Sequence, residues 1–378
     1  MSSETLGAVR IGPEPDIDAA PNAAPSLEPD RRWLRAFAKA VCYATLFLIF
    51  MGGLVTSHDA GLSVVDWPTS GGYNMFTYPL EHWLGAEHRG FGDEGVFWEH
   101  SHRLFASLVG VLTLILAAWI VARDKRFWLW LLAFGAVFLV TIQGILGGMT
   151  VLLGLPTQVS VLHGVAGQSF LVVLLIIAYA LSKERRERRR EADPGAHRSV
   201  RRWAIAAVSL VFVQLLVAAV MRHSGAGLAI PDFPTTAGTL IPSLGRDGLE
   251  WVNAWRQAYS AKMEIAMTPV TLGQMHIHFL HRLLAVVIVA AVVGLNFAAL
   301  RHAADNARVL RSVYILDALV LIQFTLGVLS VWTVREPFLT SAHVVVGAAL
   351  LAWTMIVALR SLPVGVHTAP SQAEPASA

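Results

Sequence analysis

Glu99, His102 and Arg103 stand at helical spacing where an apolar run, Leu104 to Val121, begins. At about 100° per residue, Glu99 and His102 lie within about 60° of each other on one helix face, and His100 points away from both. A carboxylate, an imidazole and a guanidinium at the mouth of an apolar helix can ligate a metal or cofactor and can move a proton. Ionisable groups at membrane depth are costly, so function is the first reading. A single histidine there would be explained as well by a helix end wetted by headgroups. Repetition carries the argument past that.

The chain repeats itself. Ala60–Gly72 aligns with Ala226–Gly238, Glu99–Arg103 with His278–Arg282, Gln143–Gly147 with Gln323–Gly327, and Leu162–Gly167 with Ala342–Gly347. Each copy therefore carries one histidine opening its second apolar segment (His102, His281) and one about five residues into its fourth (His163, His343).

These residues must be positioned by membrane helices. With 55% apolar and 15% charged residues and a mean hydropathy of +0.57, the chain is too apolar for a soluble domain of its length. The single cysteine, Cys42, excludes an intrachain disulfide and a cysteine-based metal site, leaving histidines and carboxylates as ligands. Eight runs reach the roughly 20 residues needed to span a bilayer: Ala36–Thr56, Trp98–Val121, Phe127–Met149, Val159–Leu181, Trp203–Met221, Ile277–Leu300, Val313–Val334 and Phe338–Leu359. The expected fold is an all-α integral membrane protein, two tandem pseudo-symmetric four-helix bundles. Four spans per half give both copies one orientation, a parallel repeat about an axis along the membrane normal.

The expected organisation is a disordered tail over 1–30, a first half over 31–181, a basic connector over 182–202, a second half over 203–361 and a tail over 362–378. The start of the chain lacks the pattern of a cleavable signal, so the first span should remain as an anchor. With the N-terminus cytoplasmic, twenty Lys and Arg flank the spans on the inside and six, including Arg89, on the outside. The positive-inside rule then places both termini in the cytoplasm, in a multi-pass protein of the inner (plasma) membrane. The connector's charge run reads as a solvated topology signal rather than a nucleic-acid site.

In this topology all four histidines lie near the outer surface. Two imidazoles from different helices of one bundle meet the requirement for axial ligation of a haem iron, whereas the HExxH pattern of zinc sites puts both ligands on one helix. Arg103 and Arg282, next to two of these histidines, could pair with haem propionates or snorkel to the interface. Glycines such as Gly52, Gly147 and Gly164 can admit close packing or a flat ligand. The halves differ where Glu99 is matched by His278, so only the first has a carboxylate one turn from its ligand candidate. One site reads as reactive and the other as passive. Long outer loops, Ser57–Phe97 and Arg222–His276, carry Trp67, Trp83, Trp251 and Trp255; they could cap the two sites, and an interfacial aromatic belt accounts for the tryptophans equally well.

The two fused four-helix halves, the Glu-x-x-His-Arg of Glu99–Arg103, His163 in Leu-His-Gly, His281-Arg282 and His343 together resemble the heme A synthase family, from about Arg32 to Arg360. The resemblance implies an oxidoreductase that converts the C8 methyl of haem O to the formyl of haem A for the terminal oxidase. It implies His102 and His163 flanking the substrate haem, Glu99 acting in the reaction, and His281 and His343 ligating a b-type haem. Many bacterial members carry a cysteine pair in the first outer loop, which this chain lacks. Partners implied are haem O, membrane lipid, an electron acceptor, and haem O synthase and terminal oxidase assembly, with no nucleic acid. Glu99 is the carboxylate placed to act as base or to stabilise developing positive charge. Two other classes fit the histidines: a dihaem b-type electron carrier and a haem-export or haem-sensing protein.

Overall fold

The computed structural model describes residues 31–84, 94–191 and 193–364. The expected tails over 1–30 and from 365 onward, and Arg89, lie outside the described residues. In order, the helices are α1 (Arg32–Ser57), α2 (Leu80–Trp83), α3 (Glu94–Arg123), α4 (Phe127–Leu152), α5 (Thr157–Ala180), α6 (Lys183–Arg190), α7 (Arg198–His223), α8 (Arg246–Met263), α9 (Leu272–His302), α10 (Ala307–Trp332) and α11 (Pro337–Ser361). Among them α1, α3, α4, α5, α7, α9, α10 and α11 are long and apolar enough to cross a membrane. A helix satisfies its own backbone where no water can, which is why the apolar runs take this form.

The spans extend past the apolar runs at most ends. α9 begins at a capping box in which the Thr271 hydroxyl accepts from Gln274 N and the Gln274 side chain accepts from Thr271 N. α11 begins with Pro337 behind Glu336, whose carboxylate accepts from the amides of Phe338 and Leu339. The turns before α5 and α11 both place residues at positive φ, Leu155 at 59° and Arg335 at 65°. The segment between α1 and α3 is shorter than the sequence suggested, with α3 running from Glu94 rather than from near Trp98. The second contains an 18-residue helix, α8, that hydropathy does not reveal.

Packing within each half follows one scheme. α1 lies against α3 and α5, and α7 against α9 and α11; α4 bridges α3 and α5 as α10 bridges α9 and α11. The halves meet where α1 touches α11, α5 touches α7, and α5 touches α11. One buried apolar cluster, including Val109, Leu116, Leu129 and Leu174, fills the first half. Another, including Val211, Leu295, Leu316 and Leu351, fills the second. Leu171 meets Ala348 and Ala352 between them. Large side chains such as Phe138, Val286, Phe297 and Leu321 face outward, as a lipid-facing surface requires.

At the end opposite the histidines, Asp124 ties four helix ends together. It accepts from Arg31 and from Arg126 Nη2 at 2.7 Å, while Arg126 Nη1 reaches Ala180 O and Trp130 Nε1 donates to Asp124 O. The connector is more than a solvated charge run. Arg188 of α6 is fully buried and donates to the Tyr179 hydroxyl, Asp193, and the carbonyls of Leu359 and Leu362. It thereby fastens the connector to the end of α11, since a guanidinium presents several donors in fixed geometry.

Candidate functional site

His102, His163, His281 and His343 lie six to nine residues into α3, α5, α9 and α11. At 1.5 Å per residue that is within about 15 Å of one end of the bundle. In the second half, the rings of His281 and His343 face each other with centroids 6.4 Å apart and planes at 71°. In the first half, His163 lies within electrostatic range of His102.

Small residues clear the space around these rings. A methyl group on Gly147 would come 3.3 Å from His163 Cε1, and one on Gly327, its counterpart in the repeat, 3.0 Å from His343 Cε1. Gly52 of α1 stands in the same relation to His102, at 3.0 Å. The rings therefore occupy slots that a side chain would fill.

The polar surroundings of the two pairs differ. His343 Nδ1 lies 3.1 Å from Gln323 O, and the Gln323 amide is 3.4 Å from His343 Nε2. The Gln214 amide donates to His281 O at 2.9 Å and lies 3.5 Å from His281 Nε2. Gln214 occupies the α7 position that matches Leu48 of α1. Among the described residues, the buried polar atoms without a partner include Nδ1 of His102, His163 and His281, Nε2 of Gln143, and Oε1 of Gln214 and Gln323. Such atoms are rare in folded proteins and call for a ligand group.

A haem fits this donor set. Two metal–imidazole bonds of about 2 Å each, plus half a ring on either side, span about 6 Å, close to the 6.4 Å between His281 and His343. Among the described residues no three His, Cys, Asp or Glu side chains converge, so the histidines come as pairs.

Glu99 is 3% exposed and doubly held. Its Oε1 accepts from Arg103 Nη2 at 2.6 Å and its Oε2 from Val64 N at 2.8 Å. Val64 belongs to the loop after α1, so the carboxylate couples that loop to α3. His278, at the matching position, is also buried, with Nδ1 2.9 Å from Ala226 O.

Arg103 and Arg282 are occupied by loops rather than snorkelling. Arg103 donates to the carbonyls of Val64, Asp66 and Thr69. Arg282 donates to those of Ile230, Asp232 and Thr235. These carbonyls correspond one for one in the repeat. Asp66 accepts from Gly71 N and Gly72 N, and Asp232 from Ala237 N and Gly238 N. Partial burial pushes the Asp66 carboxyl up, but the bonds from Thr69, Gly72 and Gly71 outweigh it and hold it below the usual carboxylate range. Each arginine thus fastens a loop turn to the helix that carries the first histidine of its half.

Two of the loop tryptophans pack on membrane helices. Trp67 lies over Gly148 of α4, where a Cβ would come within 2.5 Å of its ring, and Trp83 Nε1 donates to Ser101 Oγ of α3. Trp251 Nε1 donates to Ala237 O.

The sequence matches a known family. The family described as COX15-CtaA, Cytochrome oxidase assembly protein, matches residues 35–355. The chain belongs to this family. Similar proteins named Heme A synthase include one from Geobacillus kaustophilus (strain HTA426), 28% identical with 91% of this chain and 97% of that protein covered. Others are from Rhodopseudomonas palustris (strain HaA2), 26% identical over 87% and 91%, and Allorhizobium ampelinum, 27% identical over 79% and 82%. The family match covers all four histidines, Glu99, Arg103 and Arg282.

Two contacts at the site had no sequence signal. Arg222, in the last turn of α7, donates from Nη2 to Gly53 O and Ser57 Oγ of α1 and so joins the halves beside the histidines. His58 stacks on Trp98 at 4.9 Å, and Phe338 packs edge-on to both. Neither Arg222 nor Gln214 has a like residue at its repeat position, so the repeat could not single them out.

Proposed function

We propose that this protein is a heme A synthase, a multi-pass membrane oxidoreductase that oxidises the C8 methyl of haem O to a formyl group. In this reading the first half, residues 31–181, takes haem O between His102 and His163. The second half, residues 203–361, holds a resident b-type haem on His281 and His343. Both termini and the connector are cytoplasmic, and the four histidines face the outer side. The observation that carries the reading is an asymmetry: matched histidine pairs stand at one end of the bundle, and only the first has a buried carboxylate, Glu99, where the second has His278.

His281 and His343 would hold a resident haem, which when bound would supply one-electron transfer. Each hydroxylation of the substrate methyl takes its oxygen from water, releases two protons and passes two electrons to an external electron acceptor that the reaction requires. The second gives a geminal diol that loses water to leave the formyl group. Glu99 accepts a proton or stabilises positive charge developing at the substrate. Arg103 and Val64 N fix the carboxylate, so its orientation is set before substrate arrives. Trp67 on Gly148 and Trp83 on Ser101 hold the first outer loop over the helix ends and restrict water. Arg103 and Arg282 keep the loop turns in place, and the donors these bonds leave over, the Nε–H of Arg103 and the Nε–H and one Nη1–H of Arg282, could meet a propionate.

The matched pairs also suit a dihaem b-type electron carrier, to which Glu99 would be dispensable. Extracting the haem from purified protein separates the two. Haem B together with haem O or haem A supports the synthase, and haem B alone, in cells that make haem O, supports the carrier.

A further inference from the structure

Away from the histidines, at the opposite end of the bundle, a cavity of about 290 Å³ lies between α1 and α6, lined by Arg35, Lys183, Arg186, Glu187 and Arg190. Four of the five lining side chains are cationic. The connector's carboxylates are drawn to arginines elsewhere. Glu184 forms a two-point pair with Arg360, Asp193 pairs with Arg188, and Glu191 pairs with Arg308. Glu187 itself leans 3.9 Å from Arg308.

The depth of this cavity is marked by aromatic side chains. Trp33, 66% exposed, lies under the Arg32 guanidinium beside the start of α1. Trp128, 40% exposed, lies under both Arg126 and Arg185. Exposed tryptophans with cations over them mark the headgroup layer. A basic cavity at that level, open beside a transmembrane helix, suits the phosphate of an anionic lipid.

We propose that this cavity binds the headgroup phosphate of an anionic phospholipid from the adjacent leaflet, with Lys183, Arg186 and Arg190 of α6 and Arg35 of α1 as its cationic wall. The site is separate from the haem chemistry and independent of the functional reading above. Because α6 is fastened to α11 through Arg188 and Arg360, a lipid held there would join α1 of the first half to the end of the second.

The test uses the full chain in nanodiscs of phosphatidylcholine with or without phosphatidylglycerol, released for native mass spectrometry. Wild type should retain phosphatidylglycerol in preference to phosphatidylcholine. Lys183→Gln and Arg190→Gln are both at exposed positions, and each should weaken that retention by about fivefold. Glu187→Gln removes the one carboxylate of the lining and should strengthen it, a gain that misfolding cannot mimic. Arg189→Gln, on the same helix but outside the lining, should change it little. Equal retention of the two lipids by wild type, or a loss from Arg189→Gln as large as from Arg190→Gln, overturns the site. Inorganic phosphate titrated onto the detergent-solubilised protein separates the other source: binding that depends on Lys183 and Arg190 without any lipid retention would assign the cavity to free phosphate and overturn the lipid.

Discussion

His281 of α9 and His343 of α11 face each other across 6.4 Å with their ring planes at 71°. Neither ring hydrogen-bonds the other, and what surrounds them is glutamine amide and glycine, not carboxylate. Under the proposed function, such a pair would ligate a resident haem.

The two pairs should therefore respond differently to mutation. His281→Ala or His343→Ala should remove the resident haem and its low-spin absorbance from the purified protein. His102→Ala or His163→Ala should spare that absorbance and abolish conversion of haem O. Equal loss of bound haem from all four variants would favour two equivalent cofactor sites.

The loop anchors can be tested by stability. Arg282→Gln leaves the carbonyls of Ile230, Asp232 and Thr235 without their donor and should cost about 1–3 kcal/mol in reversible unfolding. Arg103→Gln removes the same class of bonds and the partner of Glu99 besides, so it should cost more. Unchanged unfolding in both would deny the arginines this role.

Much of this was legible in the chain because the bilayer forces regularity. Apolar runs of span length became helices within a few residues, and the repeat paired His102 with His281 and His163 with His343. The ends shifted because polar caps such as Thr271 and Glu336 extend helices beyond the apolar stretch. α8 was hidden because its composition is mixed, and Arg188 because a buried arginine in a charge run looks like its exposed neighbours. Gln214 and Arg222 act through contacts between distant segments, which neither periodicity nor the repeat encodes.

Acid should loosen the end of the bundle opposite the histidines. Burial pushes the Asp124 carboxyl up, but hydrogen bonds from Arg126 and the charges of Arg126 and Arg31 outweigh it and hold it below its usual range. A depressed folded value means that the stability Asp124 adds is present above its unfolded value of about 4 and is lost as pH falls through the folded value. Asp124→Asn should cost about 1–3 kcal/mol at neutral pH. The gap between wild type and variant in thermal unfolding should close below about pH 4; a gap of constant size across that range would contradict the assignment.

Orientation is open to a direct check. A reporter fused within 183–202 should be cytoplasmic, and one within 245–255 should be outside. The reverse pattern would move the four histidines to the cytoplasmic side and undo the proposed arrangement.

The central claim is that the first half is a reaction site because of Glu99. Replacing a positioned proton acceptor costs about 10²–10⁴-fold in rate. The decisive measurement is the ratio of haem O to haem A in cells carrying wild type, Glu99→Ala or Glu99→Gln, with the second-half haem absorbance as the control for folding. The account predicts normal low-spin absorbance in all three, and haem O accumulating, with a hydroxylated form beside it, in both variants. Wild-type haem A from well-expressed Glu99→Ala protein would contradict it.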